Sequence, residues 1–235
     1  MTRTPAPAPA PALALAQARD LSISRRALAF GLAAAPLAGG LLAASPASAA
    51  LSSADQALVN QAVAYLEGLT QAKGQFVQTD PRGVSSRGEL FLKRPGKARF
   101  DYAPPSGLLV VSDGSLVSVA NSKLKTFESY PLGATPLALF LSRQIRLDRG
   151  VQVTRVTRLA DGFSITARDG RKEAEGQITL TFQSQPMQLI GWTITDPQGM
   201  ATRVRLTGLQ KVSSLDDSLF VLKDPRNLRP GRSRM

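Results

Sequence analysis

Residues 88–114 read GELFLKRPGKARFDYAPPSGLLVVSDG, and the period of the stretch is two. Leu90 and Leu92 fall on one side of a first strand, with Glu89, Phe91 and Lys93 on the other. After Pro95-Gly96, the residues Lys97, Arg99 and Asp101 alternate with Ala98, Phe100 and Tyr102. A third strand, Leu108 to Ser112, ends at the turn pair Asp113-Gly114. Such strands have one wet face and one dry face, and the dry face needs a cover. Arg94 breaks the pattern, because it follows Leu92 by two and aims a guanidinium toward the apolar side. A buried unpaired charge costs several kcal/mol, so it must meet carbonyls or a carboxylate inside. Alternatively the strand twists out at Pro95 and leaves Arg94 at a rim.

The same alternation continues outward in both directions. Upstream, Ser53 is the expected cap of a helix with Leu58, Ala62, Leu66 and Leu69 along one side and Val59 and Val63 beside them, ending within residues 68–73. Strands are then expected at residues 75–79, 88–93, 97–103, 108–112, 116–120, 125–130, 151–159, 163–167, 177–183, 187–195 and 200–211. Asp161-Gly162, Asp169-Gly170 and Pro197-Gln198-Gly199 supply further tight turns. One interruption is helical: Thr135 can cap, Pro136 suits a first helical position, and Leu137, Leu139, Phe140 and Leu141 follow. The expected fold is mainly β with α: a strongly curved antiparallel sheet, or unclosed barrel, of about eleven strands, covered by two apolar helices. No Pro/Gly/Ser linker divides it, so residues 50–225 are expected to form one domain.

Composition narrows the chemistry. Of 235 residues, 43% are hydrophobic and 20% charged, which suits a packed core. Cys and His both number zero, which removes thiol nucleophiles, disulfides, Cys/His zinc sites, imidazole bases and the Ser-His-Asp triad. The formal charge of +12 favours anionic partners. Its basic residues are scattered, though, without a run of five or an aromatic stripe for stacking, so nucleic acid is not an expected partner. Asp113, Glu89 and Asp101 are the available carboxylates for acid/base work. Asp113 is explained by its turn and the other two by a solvent face, so no enzyme, cofactor or metal is expected.

Residues 1–49 form a leader. A Pro/Ala-rich start is followed by Arg25-Arg26, an Ala/Leu/Gly run over residues 27–44, and Ala47-Ser48-Ala49, the small-residue spacing of a cleavage site. The paired arginines with Leu28 resemble the twin-arginine export motif, and a general secretory signal is the other reading. A mature chain beginning near Ala50 and working in the periplasm is expected, with residues 226–235 as a basic flexible tail.

The run from Gly88 to Gly114 resembles the signature of the LolA-type periplasmic carriers of outer-membrane lipoproteins. Gly74 to Thr79, Tyr130-Pro131-Leu132, Thr135-Pro136-Leu137 and the ending Ser213 to Phe220 extend the likeness over nearly all of residues 54–225. That resemblance implies a helical lid over an apolar cavity for acyl chains, with Leu90, Leu92, Phe100, Tyr102, Leu137, Leu139 and Phe140 as lining residues. It also implies that Arg94, in Lys93-Arg94-Pro95, latches the lid by bonding its backbone. The partners implied are acylated lipoproteins, an inner-membrane lipoprotein-releasing transporter, and an outer-membrane receptor or the outer membrane itself, with the carrier a monomer. One departure is Ala98, where family members often carry an aromatic soon after the proline. A second function class on the same fold is a regulator that senses lipid or lipoprotein; such sensors usually carry another domain.

Overall fold

The computed structural model describes residues 51–135, 137–142, 151–169 and 176–224. The expected leader (residues 1–49) and tail (226–235) lie outside the described residues, as do Pro136, Gly170 and the side chain of Leu139. Helix α1 is Ser53–Glu67. Strands β1 Gln71–Thr79, β2 Ser85–Lys93, β3 Lys97–Tyr102, β4 Leu108–Asp113, β5 Leu116–Asn121 and β6 Thr126–Pro131 follow. After helix α2, Leu137–Leu141, come β7 Val151–Leu159, β8 Gly162–Asp169, β9 Gln177–Ser184, β10 Met187–Thr195 and β11 Ala201–Lys211. A short 3-10 turn, Asp217–Phe220, ends the described chain.

All eleven strands join one antiparallel sheet in the order β6-β5-β4-β3-β2-β1-β11-β10-β9-β8-β7, so β6 and β7 are the edges. The sheet curls. Phe100 on β3 and Trp192 on β10 are four strand steps apart, about 19 Å on a flat sheet, yet their ring centroids are 6.0 Å apart. Glycine helps the bend at Gly88, which pairs with Phe76. A Cβ there would lie 2.1 Å from the Asp101 carbonyl oxygen and 2.8 Å from the Phe76 ring, so the ring covers a position that only glycine can fill.

Helices α1 and α2 lie on the concave face. Val59, Ala62, Leu66, Leu69, Leu137, Phe140 and Leu141 share one buried cluster with Phe76, Leu90, Leu92, Phe100, Phe163, Phe182 and Trp192. Two sequence expectations need correction. The cap of α1 is Ser52, not Ser53: its hydroxyl accepts the Asp55 N–H at 3.1 Å and donates to the Asp55 carboxylate at 2.7 Å, a Ser-x-x-Asp version of the capping box. The Thr135 hydroxyl donates to the Leu132 carbonyl oxygen at 2.8 Å. The convex face is not wholly wet. The segment after β11 crosses β2 to β4, where Leu215 and Phe220 bury Val111 and pack beside Phe91 and Leu109. Lys93 Nζ and Lys97 Nζ fasten it to Asp217 at 3.0 and 2.7 Å.

Candidate functional site

Arg94 sits in the turn between β2 and β3, which the backbone holds from three directions. The Arg94 N–H donates to the Thr70 carbonyl oxygen at 2.7 Å, the Gly96 N–H to that of Leu141 at 2.8 Å, and the Ser112 hydroxyl to that of Gly96 at 2.6 Å. From this anchored turn the guanidinium reaches inward. Nη1 donates to the carbonyl oxygen of Leu66, in the last turn of α1, and Nη2 to that of Ser142, just past α2, at 2.7 Å. Carbonyls at a helix C-terminus lack intrahelical partners and carry partial negative charge. No basic residue lies in the last turn of either helix, so one cation from the sheet serves both ends. Burial pulls the Arg94 guanidinium down from its ordinary value, and the nearby Glu67 carboxylate acts against that shift. Nε is buried without an acceptor among the described residues.

The other site residues are brought together beneath the helices. Leu90, Leu92, Phe100, Tyr102, Leu137 and Phe140 are all buried. Phe140 of α2 stacks on Trp192 at 5.7 Å, and Phe76 meets Phe100 and Tyr102 edge-on at 5.6 and 4.9 Å. In this structure the space between sheet and helices is occupied by these side chains. An open hollow of about 980 Å³ adjoins it at the end of the sheet beside α1, with Leu58, Leu159, Phe163, Phe182 and Ile190 among its walls. Phe163 and Phe182 belong both to that hollow and to the buried cluster. Arg158, on its rim, bridges to Asp55 of α1 at 2.9 Å. Sequence reading did not single out Trp192, whose signal was being the lone tryptophan of the chain.

Tyr102 is the polar exception among the lining residues. Its hydroxyl donates to Gln78 Oε1 at 2.8 Å in a fully buried pair. Burial raises its phenol above the usual value of 10.0, while the Gln78 bond opposes the rise. Tyr65 is raised by burial, and Tyr130 is pushed up to about 12 by burial and by Glu128. Each phenol is therefore kept protonated in the fold beyond the pH at which it ionises unfolded. Their stabilising contribution is complete below pH 10.0 and is lost as pH rises through the folded values. Chemical denaturation across the alkaline range should show stability falling from about pH 10 upward. Tyr102→Phe is expected to cost about 1 kcal/mol at neutral pH and to flatten the alkaline fall.

The arrangement ties two helices to one apolar face of the sheet through Arg94 and leaves an open hollow beside α1. No described helix is long and apolar enough to cross a membrane. The family described as "Outer membrane lipoprotein carrier protein LolA" matches residues 67–223. An outer-membrane lipoprotein carrier protein of Chromobacterium violaceum is 25% identical over 205 residues, covering 84% of this chain and 94% of its own. An uncharacterized protein of Rickettsia prowazekii is 23% identical over 166 residues, covering 71% and 76%. Among solved structures, a LolA superfamily protein from Nitrosomonas europaea aligns with a TM-score of 0.41 at 10% identity, over 69% of this chain and 97% of that one.

Proposed function

Because this chain belongs to the LolA family of outer membrane lipoprotein carrier proteins, we propose that it carries acylated lipoproteins across the periplasm, from the inner membrane to the outer membrane. The acyl chains would occupy the space between the curved sheet and helices α1 and α2. The observation that carries this reading is Arg94, one half-buried cation joined to the C-terminal ends of both covering helices. A residue serving only to stabilise a core gains little from such a placement, since an apolar side chain of the same size fills it without burying charge. A residue that fastens a removable cover needs bonds that are strong when closed and satisfied by water when open.

The mechanism follows from the balance of burial energies. A chain of about 16 carbons gains roughly 12 kcal/mol on leaving water, at ~0.8 kcal/mol per methylene. A membrane offers nearly the same gain. The carrier must retain its cargo in water and still release it to an acceptor, so part of the gain must be consumed in opening. Breaking the Arg94 bonds and separating Phe140 from Trp192 are the costs this chain provides. The hollow beside α1 is the mouth, since Phe163 and Phe182 link it to the interior. An inner-membrane lipoprotein-releasing transporter loads the carrier, and an outer-membrane receptor or the outer membrane itself unloads it. No covalent step is involved.

Delipidated protein mixed with a radiolabelled dipalmitoyl lipopeptide is expected to take up about one equivalent, to keep it in solution, and to pass it chemically unchanged to acceptor vesicles. Absence of uptake, or recovery of a hydrolysed ligand, sinks the proposal.

A further inference from the structure

Trp192 is 2% exposed, and its ring N–H is buried without an acceptor among the described residues. Nearly all buried donors are paired. The contrast lies close by, where the Tyr102 hydroxyl has Gln78. Packing alone does not explain the indole nitrogen, because a ring without a donor fills apolar space and leaves nothing unpaired. The position of the ring is equally specific: Phe140 of α2 stacks on it at 5.7 Å with the planes 29° apart, while Phe100 of the sheet meets it edge-on at 6.0 Å. Trp192 is thus the side chain of the sheet on which the cover rests.

We infer that Trp192 recognises an acyl carbonyl oxygen of the cargo: its Nε1–H donates to the carbonyl of the ester or amide that joins a fatty chain to the rest of the lipoprotein. The inference rests on the carrier reading above and names the chemistry that the interior selects. A hydrocarbon tail offers the indole no acceptor, and an ether oxygen is a weak one. The carbonyl at the head of an acyl chain is the acceptor that travels with the apolar group. Withdrawal of Phe140 with α2 makes room for the chain over the face of the ring, and the carbonyl at its head meets the N–H at the ring edge, in the plane in which the indole donates. The donor is unpaired in the closed form and paired in the loaded one, which favours loading and fixes how deeply the chain enters.

The test uses the full mature protein and three lipopeptides of equal chain length, joined through ester, amide or ether links. Since Trp192 is the single tryptophan, intrinsic fluorescence reports binding and the single indole Nε1–H resonance reports the bond. The carbonyl ligands are expected to bind about three- to tenfold tighter than the ether and to shift that resonance downfield. Trp192→Phe, which keeps no tryptophan and whose binding is therefore read with radiolabelled ligands, should bind all three alike. Equal binding of ether and acyl ligands by the unaltered protein overturns the inference and leaves the carrier reading intact, as does a Trp192→Phe protein that keeps the preference. Failure of all three to bind overturns both. If Trp192→Phe does not fold, the ligand comparison and the resonance in the unaltered protein decide.

Discussion

Arg94→Leu is expected to shift the closed form toward the open one by roughly 30- to 100-fold, the equivalent of about 2–3 kcal/mol. Two charge-assisted hydrogen bonds, to Leu66 and Ser142, are lost, each worth ~1.5–3 kcal/mol. The substitution also returns something, since Nε is buried without an acceptor in the described structure and the cation is half-buried. Leucine removes both burdens, which is why the net figure lies well below the sum of the bonds. The Leu66 carbonyl oxygen keeps the Leu69 N–H at 3.1 Å, so α1 is freed from the sheet and not unravelled. Amide exchange over α1 and binding of an environment-sensitive dye should rise in the unloaded protein. Lipopeptide should bind more tightly and pass to acceptor vesicles more slowly, because less of the burial energy is consumed in opening. Arg94→Lys should fall between, as a lysine supplies a point charge without the fork that spans two carbonyls. Dye binding and cargo affinity equal to those of the unaltered protein would remove Arg94 from the mechanism.

Much of this arrangement is legible in the residues, and the exceptions have physical causes. Strands show wherever one face is covered and the other wet, as in β3, where Lys97, Arg99 and Asp101 are half-exposed and Ala98, Phe100 and Tyr102 are buried. The cover over β2 to β4 was missed because the spacing of the segment that supplies it misleads: Val212, Leu215, Leu219 and Leu222 recur at the three- and four-residue steps of a helix, yet the segment lies along the sheet with only a 3-10 turn at Asp217–Phe220. Its trace lay in β4, whose unbroken run Leu108 to Val111 is the pattern of a strand covered on both faces. The helix cap was missed by one residue because both serines have a polar partner three residues on, Asp55 for Ser52 and Gln56 for Ser53, and only the folded chain shows that Ser52 makes the bond. Arg94 could be placed on the apolar side but not given partners, since Leu66 and Ser142 lie 28 and 48 positions away and serve through backbone oxygens, which no side-chain pattern announces. The same limit hid Trp192, whose importance comes from Phe140, on an element far from it in sequence.

Phe140 distinguishes a cover from a core. In an ordinary interior, Phe→Ala costs about 3–5 kcal/mol, and in a domain of this size lowers Tm by roughly 2–4 °C per kcal/mol. Phe140→Ala is therefore expected to lower the Tm of the unloaded protein by about 10 °C, through loss of the stack on Trp192 and the hole left beneath α2. If α2 withdraws from that place on loading, the acyl chain fills the space that Phe140 vacates in both proteins. The loaded variant should then melt within a few degrees of the loaded unaltered protein, and the variant should bind lipopeptide more tightly by most of the stability it has lost. Phe220→Ala is the comparison, since Phe220 is fully buried in the separate cluster with Val111 and Leu215 on the convex face, away from α1 and α2. A residue that stays in place should show its loss with and without cargo. Calorimetric melting of the two variants, empty and saturated, separates the cases: an equal loss for Phe140→Ala in both states would mean that α2 stays seated when cargo binds, and that the interior makes room by some other movement.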